Sequence, residues 1–166
     1  MNQDVEFMLR AIEWSRKGME NENMGPIGAV VARDGVILGE GHNRNRLDMD
    51  ITAHGEMVAI RNGVKKAGRL DALVGATIYT TAQPCPMCYT ACLWAGITRI
   101  VYALSCEDTA EVGGAFGFMD SEFYQDLGKH QDQRSIPQTQ VLREDALPVL
   151  REWARLAEQE LNQPAE

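Results

Sequence analysis

The sequence has few basic residues and no run of them. Lys and Arg number 16 among 166 residues, against 24 Asp and Glu, so the formal net charge is -8. Proteins that bind nucleic acid gain affinity by releasing counterions through clustered Lys and Arg, and a negative overall field repels a long polyanion. The composition therefore argues against a nucleic-acid partner and favours a small, uncharged substrate.

Long hydrophobic runs are also absent, and cysteine is scarce. No apolar run is long enough to cross a bilayer, and no basic region followed by an apolar stretch indicates a secretory signal. The four cysteines are too few for a disulfide scaffold, which favours a reducing compartment. We therefore expect a cytoplasmic protein without a membrane partner, in which a close pair of cysteines more often means metal than disulfide.

The hydrophobic pattern predicts a single domain in which helices alternate with strands. Helices are expected at about 4–20, from near Thr52 past Arg61, at 86–95, at 121–127 and at 145–161. Strands are expected at 27–32, 36–39, 76–81, 97–104 and 138–142, with a loop over 41–50. Asp34-Gly35 favours a tight hairpin turn between the first two strands. This order is typical of a layered α/β domain with a hairpin at one end and parallel pairing later.

Two short motifs carry the chemistry: Thr52-Ala53-His54-Gly55-Glu56 and, about thirty residues later, Pro84-Cys85-Pro86-Met87-Cys88. Alone, each is weak, because a single His near a helix start is usually a cap or core residue and a Cys-x-x-Cys pair is common in zinc, redox and inert settings. Together they are specific, since each motif opens a predicted helix.

A catalytic zinc ion takes three protein ligands and leaves its fourth position to water. His54, Cys85 and Cys88 supply three ligands at helix N-termini, where the partial positive charge favours thiolates. Glu56 is close enough to face the same cavity without ligating, and can carry a proton from the nucleophile to a leaving amine. The alternative for Glu56 is a first-turn acid that stabilises the helix dipole.

Cys92 supports a competing interpretation. It lies one turn after Cys88 on the same predicted helix face, and a fourth thiolate would make the zinc site structural rather than catalytic. The simpler interpretation is that Cys92 and Cys106 are small buried hydrophobic residues.

His54-Gly55-Glu56 with Pro84-Cys85-Pro86-Met87-Cys88 resembles the cytidine deaminase superfamily, whose signature is H-x-E followed by P-C-x-x-C. The resemblance spans roughly residues 26–136 and implies a three-layer α/β/α sandwich with a mixed five-stranded sheet and one zinc ion per subunit. Gly41-His42-Asn43 is similar to the base-contacting loop of the free-base branch. Gly55 resembles the fungal cytosine deaminases, while Gln83 departs from the Glu found in many members.

The region after the metal motif is most similar to bacterial guanine deaminases, on Glu107 to Gly113, Phe116 to Phe123 and Arg134 to Pro137. This likeness implies that Asn43, Ala53, Asp108 and Phe116 bind the substrate. Asp108 would accept from the N1–H and amino edge of guanine; its alternative is a solvated loop acid. Phe118 and Trp94 are further stacking candidates, and Glu144 is a weak site candidate.

The resemblance also implies a homodimer in which a C-terminal segment, about 130–166, is exchanged between subunits. The leading hypothesis is hydrolysis of guanine to xanthine and ammonia. The alternatives are deamination of cytosine or a related pyrimidine or pterin, deamination of tRNA adenosine, and a zinc-stabilised binding module without catalysis.

Overall fold

The structure is a computed structural model that describes residues 3–22, 25–113, 121–130 and 133–161. Its helices are α1 (Gln3–Glu22), α2 (Asn45–Asp48), α3 (Gly55–Ala67), α4 (Pro86–Trp94), α5 (Cys106–Gly113), α6 (Ser121–Gly128) and α7 (Arg143–Leu161). Its strands are β1 (Gly28–Arg33), β2 (Val36–His42), β3 (Thr77–Ala82) and β4 (Arg99–Leu104). The chain divides into two compact units, 1–125 and 126–166. None of the described helices is both long and apolar enough to span a membrane.

The strands form one mixed sheet in the order β2-β1-β3-β4. β1 pairs antiparallel with β2 and with β3, while β3 pairs parallel with β4. The β1–β2 turn places Asp34 and Gly35 at φ 52° and 77°, which are the positive angles that a tight hairpin turn requires. The predicted hairpin and the predicted parallel pair are both confirmed.

Alternate residues of β1 point into two separate cores, as the period of a strand requires. Ala29 and Val31 pack in a core with residues of α3 and α4, including Ala59 and Cys92. Val30 and Ala32 pack on the opposite face with residues of α1. The sheet is therefore covered by α1 on one side and by α3 and α4 on the other, which confirms the three-layer α/β/α architecture.

The predicted fifth strand, Gln138–Leu142, is wrong. The segment forms no strand, and all of its side chains are exposed. It has only two strongly apolar residues at its end, Val141 and Leu142, and Leu142 has a positive φ of 53°, which interrupts an extended chain. The sheet has four strands within the residues that the structure describes.

Three boundaries near the motifs also differ from the prediction. β2 runs on to His42, and α2 occupies part of the predicted loop. Thr52 does not cap α3, because its hydroxyl donates to Asp50 Oδ1 at 2.6 Å. The N-cap of α3 is His54 instead, in an extended conformation.

Candidate active site

The two motifs converge at the N-termini of α3 and α4. His54 is the N-cap of α3 and Cys85 is the N-cap of α4, both in extended conformations. Pro86 occupies the first turn of α4, where its missing N–H costs no hydrogen bond. Cys88, one turn into α4, donates its backbone N–H to Cys85 Sγ at 3.5 Å. These capping contacts therefore hold the sulfur atoms of Cys85 and Cys88 together at the N-terminus of α4.

The three predicted ligand atoms lie within 4.8 Å of one another. His54 Nδ1 is 3.7 Å from Cys85 Sγ and 3.6 Å from Cys88 Sγ. In tetrahedral zinc coordination with ordinary Zn–N and Zn–S bond lengths, a nitrogen and a sulfur ligand are about 3.6 Å apart. The donor set and its spacing therefore fit a zinc ion held by one imidazole and two thiolates.

The two thiols have opposite pKa shifts. A hydrogen bond from Cys88, assisted by one from His54, lowers the pKa of Cys85 to about 4. The pKa of Cys88 is raised well above its ordinary value, because its thiol donates that hydrogen bond and because it is buried. The protein alone thus stabilises one thiolate at this site, and a cation is needed to stabilise the second.

Glu56 lies in the first turn of α3 and is only 3% exposed. Its Oε2 is buried and has no hydrogen-bond partner among the described residues. Burial raises the pKa of this carboxyl group, since desolvation disfavours the charged form. A carboxyl group that only stabilises a helix dipole can remain exposed to solvent. The burial of Glu56 therefore favours a chemical role.

Asn43 is positioned by two hydrogen bonds at the end of β2. Its backbone N–H donates to Ile27 O at 3.0 Å, and its side-chain Oδ1 accepts from the Gly55 N–H at 2.7 Å. The side chain is thereby linked to the residue between His54 and Glu56. Ala53, fully buried, accepts from the Arg44 N–H through its carbonyl at 2.8 Å.

Asp108 lies at the start of α5 and is exposed. Its Oδ2 accepts from the Ser105 N–H at 2.8 Å, while Ser105 Oγ accepts from the Asp108 N–H at 3.1 Å. These reciprocal bonds form a capping box, which lowers the pKa of Asp108.

Four other residues were candidates from the sequence: Phe116, Phe118, Trp94 and Glu144. Phe116 and Phe118 lie outside the described residues. Trp94, at the end of α4, is 86% exposed. Glu144 is exposed at the start of α7 and pairs with Arg143.

Cys92 belongs to the hydrophobic core rather than to the ligand group. It is 1% exposed and packs with Ala29, Ile78 and other apolar residues. The ligand group found among the described residues contains His54, Cys85 and Cys88 without it. The fourth position is therefore not taken by this thiol, as a catalytic site requires.

Two supporting residues were not predicted from the sequence. Gln83 Oε1 accepts from the Cys106 N–H at 3.3 Å, which joins the segment before Cys85 to the start of α5. The Tyr124 hydroxyl donates to the Pro84 carbonyl at 2.5 Å. Both contacts join positions far apart in the chain, so no local pattern could have indicated them.

Comparison with known proteins places this site in a family. Residues 1–104 match the family described as the cytidine and deoxycytidylate deaminase zinc-binding region. A guanine deaminase of Bacillus subtilis (strain 168) is 36% identical over 157 residues, which cover 95% of this chain and 97% of that protein.

Two further relatives differ in how much of the chain they match. A solved structure of guanine deaminase from Bacillus subtilis aligns with a TM-score of 0.83 at 35% identity and covers 99% of both chains. A tRNA-specific adenosine deaminase of Haemophilus influenzae is 38% identical over 120 residues, or 70% of this chain and 67% of that protein. The likeness to guanine deaminase covers nearly the whole chain, including the region after the metal motif.

Proposed function

Since the chain belongs to the cytidine and deoxycytidylate deaminase family, and is therefore a zinc-dependent aminohydrolase, we propose that its substrate is guanine, hydrolysed to xanthine and ammonia. The observation that carries the choice of guanine is the likeness to a guanine deaminase over nearly the whole length of both proteins.

His54, Cys85 and Cys88 are the residues that would hold the metal. Zinc bound there supplies Lewis acidity, which makes a water molecule nucleophilic near neutral pH. The chain contributes the three donors, their fixed spacing, and the helix N-termini that favour negative charge at the site.

Glu56 is the proposed general acid and base. Its unpartnered Oε2 takes one proton from the attacking water and delivers it to a ring nitrogen of the base. It then takes the second proton from the hydroxyl group now on the carbon and passes it to the leaving amine, so that the C=O bond forms as the C–N bond breaks. The reaction forms a C–O bond and breaks the C–N bond at the amino-bearing carbon, with ammonia as the leaving group. Burial raises the pKa of Glu56, which makes its carboxylate a better proton acceptor in the first step.

Asn43 is the proposed orienting residue. Because its Oδ1 is occupied by the Gly55 N–H, its amide nitrogen donates to an acceptor on the base, and guanine offers O6 and N7. Asp108 is proposed to accept from the opposite, donor edge through its Oδ1, and Ala53 and Phe116 to line the base. These substrate contacts are supported by the family resemblance and by the position of Asn43.

A homodimer is proposed as the functional state, with residues of about 130–166 exchanged between subunits of a single-domain enzyme. The support is that α7 leaves a row of apolar side chains exposed: Val149, Leu150, Trp153 and Leu156. We place the enzyme in the cytoplasm and in purine metabolism, on the strength of its four unpaired cysteines and its proposed substrate.

The first test compares substrates in parallel. Zinc-loaded protein is incubated with guanine, cytosine, a pterin and tRNA, and both the ammonia released and the deaminated product are measured. We expect xanthine from guanine and no comparable product from the others. Conversion of cytosine or tRNA without any xanthine would contradict the choice of guanine and would select one of the alternatives.

The matched variant is Glu56→Gln, which keeps the size of the side chain but removes its acid. Because general acid–base catalysis contributes about 10²- to 10⁴-fold, turnover should fall at least 100-fold by that estimate, while zinc content stays at one per subunit. Retained turnover would exclude the assigned role of Glu56. A zinc-loaded wild-type protein that turns over nothing would favour the binding module.

A further inference from the structure

A second concave site lies at the β2 edge of the sheet, between α1 on one face and α3 on the other. It is a cavity of about 390 Å³ whose walls come from these three elements and from the two ends of α2, at Arg44 and Asp48. None of the three metal-ligand residues, nor Glu56, lines it. Its size falls within the range of small-molecule pockets, about 300–1,000 Å³.

The cavity concentrates positive charge in an acidic protein. Its lining includes four cationic side chains: Lys17, Arg44, Arg61 and Lys65. These are a quarter of the 16 basic residues in a chain of net charge -8. Only two carboxylates, Glu40 and Asp48, line it with them. A concave surface with such an excess of cations attracts anions.

Both lining carboxylates are already neutralised. Glu40 accepts two hydrogen bonds from the Arg10 guanidinium, at 2.8 and 3.0 Å, and this contact lowers the pKa of Glu40. Asp48 pairs with Arg44 at 2.8 Å, and Arg61 pairs with Asp50 at 3.0 Å, so two of the four lining cations are themselves in ion pairs. Lys65 has no ion pair among the residues that the structure describes. Its ammonium group therefore remains available to a ligand.

One wall of the cavity is aromatic. The rings of Trp14 and His42 lie 5.6 Å apart at an angle of 34°, and the Lys17 ammonium lies 4.4 Å from the centre of the Trp14 ring. The Trp14 ring is therefore already in contact with His42 and Lys17, and its cation–π contact holds the Lys17 ammonium beside the cavity.

We propose that this cavity binds a phosphate-bearing small molecule, with the phosphate held by Lys65 and its basic neighbours. A doubly charged group with several acceptor oxygens matches separate Lys and Arg donors better than a single carboxylate does. The source is either free inorganic phosphate or the phosphate of a mononucleotide. Phosphate binding in this cavity is independent of which base the enzyme deaminates, because no residue assigned to the metal or to proton transfer lines it.

Calorimetric titration of the full-length, zinc-loaded protein tests the proposal. Inorganic phosphate and a purine nucleoside 5′-monophosphate are titrated separately, at constant ionic strength set with chloride. The test variant is Lys65→Met and the matched control is Lys66→Met. Both lysines lie exposed in the last turn of α3, but only Lys65 lines the cavity.

We expect saturable binding that Lys65→Met weakens at least about fivefold and Lys66→Met leaves unchanged, since only the first removes a charge-assisted hydrogen bond. A nucleotide that binds at least about tenfold more tightly than phosphate identifies the mononucleotide; equal affinities identify free phosphate. The proposal is overturned if neither ligand binds saturably, or if both lysine variants weaken binding equally. Unfolding temperatures of the variants establish that each is folded.

Discussion

At the scale of single residues, Cys88 and Cys92 have the same chemistry and different surroundings. They lie four residues apart on α4, and both are buried. Cys88 Sγ is 3.6 Å from His54 Nδ1, whereas Cys92 packs among apolar side chains. A helix places residues one turn apart on the same side, but only the first of these two reaches the ligand group.

The two cysteines should therefore respond differently to the same substitution. We expect Cys88→Ala to lose zinc and activity, because only His54 and Cys85 remain as ligands. Cys92→Ala should keep one zinc per subunit and lower the free energy of unfolding by about 1–2 kcal/mol, through the small cavity it leaves. Elemental analysis and urea unfolding of both variants provide the measurement. Zinc loss from Cys92→Ala would restore the structural-site alternative.

The proposed metal ligands were predictable from the sequence because the spacing within each of the two motifs is local. His54 and Glu56 lie two residues apart, and Cys85 and Cys88 lie within one helical turn, so motif and geometry coincide. Gln83 and Tyr124 were not predictable, since their partners, Cys106 and Pro84, are distant in sequence. Asp108 was predicted as a substrate contact, and its capping bond to Ser105 depends on a helix, α5, that the sequence analysis did not anticipate.

At the scale of elements, α3 begins in close contact with the start of β1. A Cβ atom added at Gly55 would lie 2.7 Å from Ile27 O and 3.2 Å from Ile27 C. Real Cβ atoms do not approach backbone this closely, so any larger residue must move the helix away from the strand. Gly55 therefore sets the spacing between α3 and β1. This steric role gives a reason for glycine that is independent of the substrate.

Gly55→Ala should be destabilising although alanine favours helices. We expect the free energy of unfolding to fall by about 1–3 kcal/mol, the usual range for an added group in a packed interior, and kcat to fall because Glu56 is the next residue. Urea unfolding and steady-state kinetics measure the two effects. Gly128→Ala is the control, since its Cβ would meet nothing within 4 Å. Unchanged stability and kcat in Gly55→Ala would contradict the steric role.

The elements that the sequence predicted well are those with strong local signals. Asp34-Gly35 favours a hairpin turn, and the short apolar run Ala29 to Ala32 before it contains two β-branched valines, which favour a strand. The segment 138–142 has little apolar content to bury, so the prediction of a strand there depended on too few residues. α2 was missed because four residues of polar sequence, Asn45–Asp48, give no periodicity.

At the scale of the whole molecule, exposed apolar side chains on α7 bear on the proposed dimer. Trp153 is 64% exposed, and Leu150 lies one turn before it. A helix with such an exposed apolar face normally packs against a partner.

Removing the largest of these side chains should weaken the dimer. We expect Trp153→Gln to raise the dimer dissociation constant at least about tenfold, because burial of one large apolar side chain contributes about 1.5–3 kcal/mol. Arg151→Gln, on the same helix, is the control and should change it little. Sedimentation velocity over a range of protein concentrations measures both. A wild-type protein that stays monomeric at high micromolar concentration would contradict the dimer.

The ligand residues also have a mechanical consequence. His54 and Cys85 are 31 positions apart and belong to different helices, so an ion shared between them acts as a removable cross-link that closes a loop of polypeptide. For a covalent link around a loop of this length, the lost freedom of the unfolded chain corresponds to about 3–4 kcal/mol. Metal supply would then govern how long the folded enzyme survives, as well as whether it turns over.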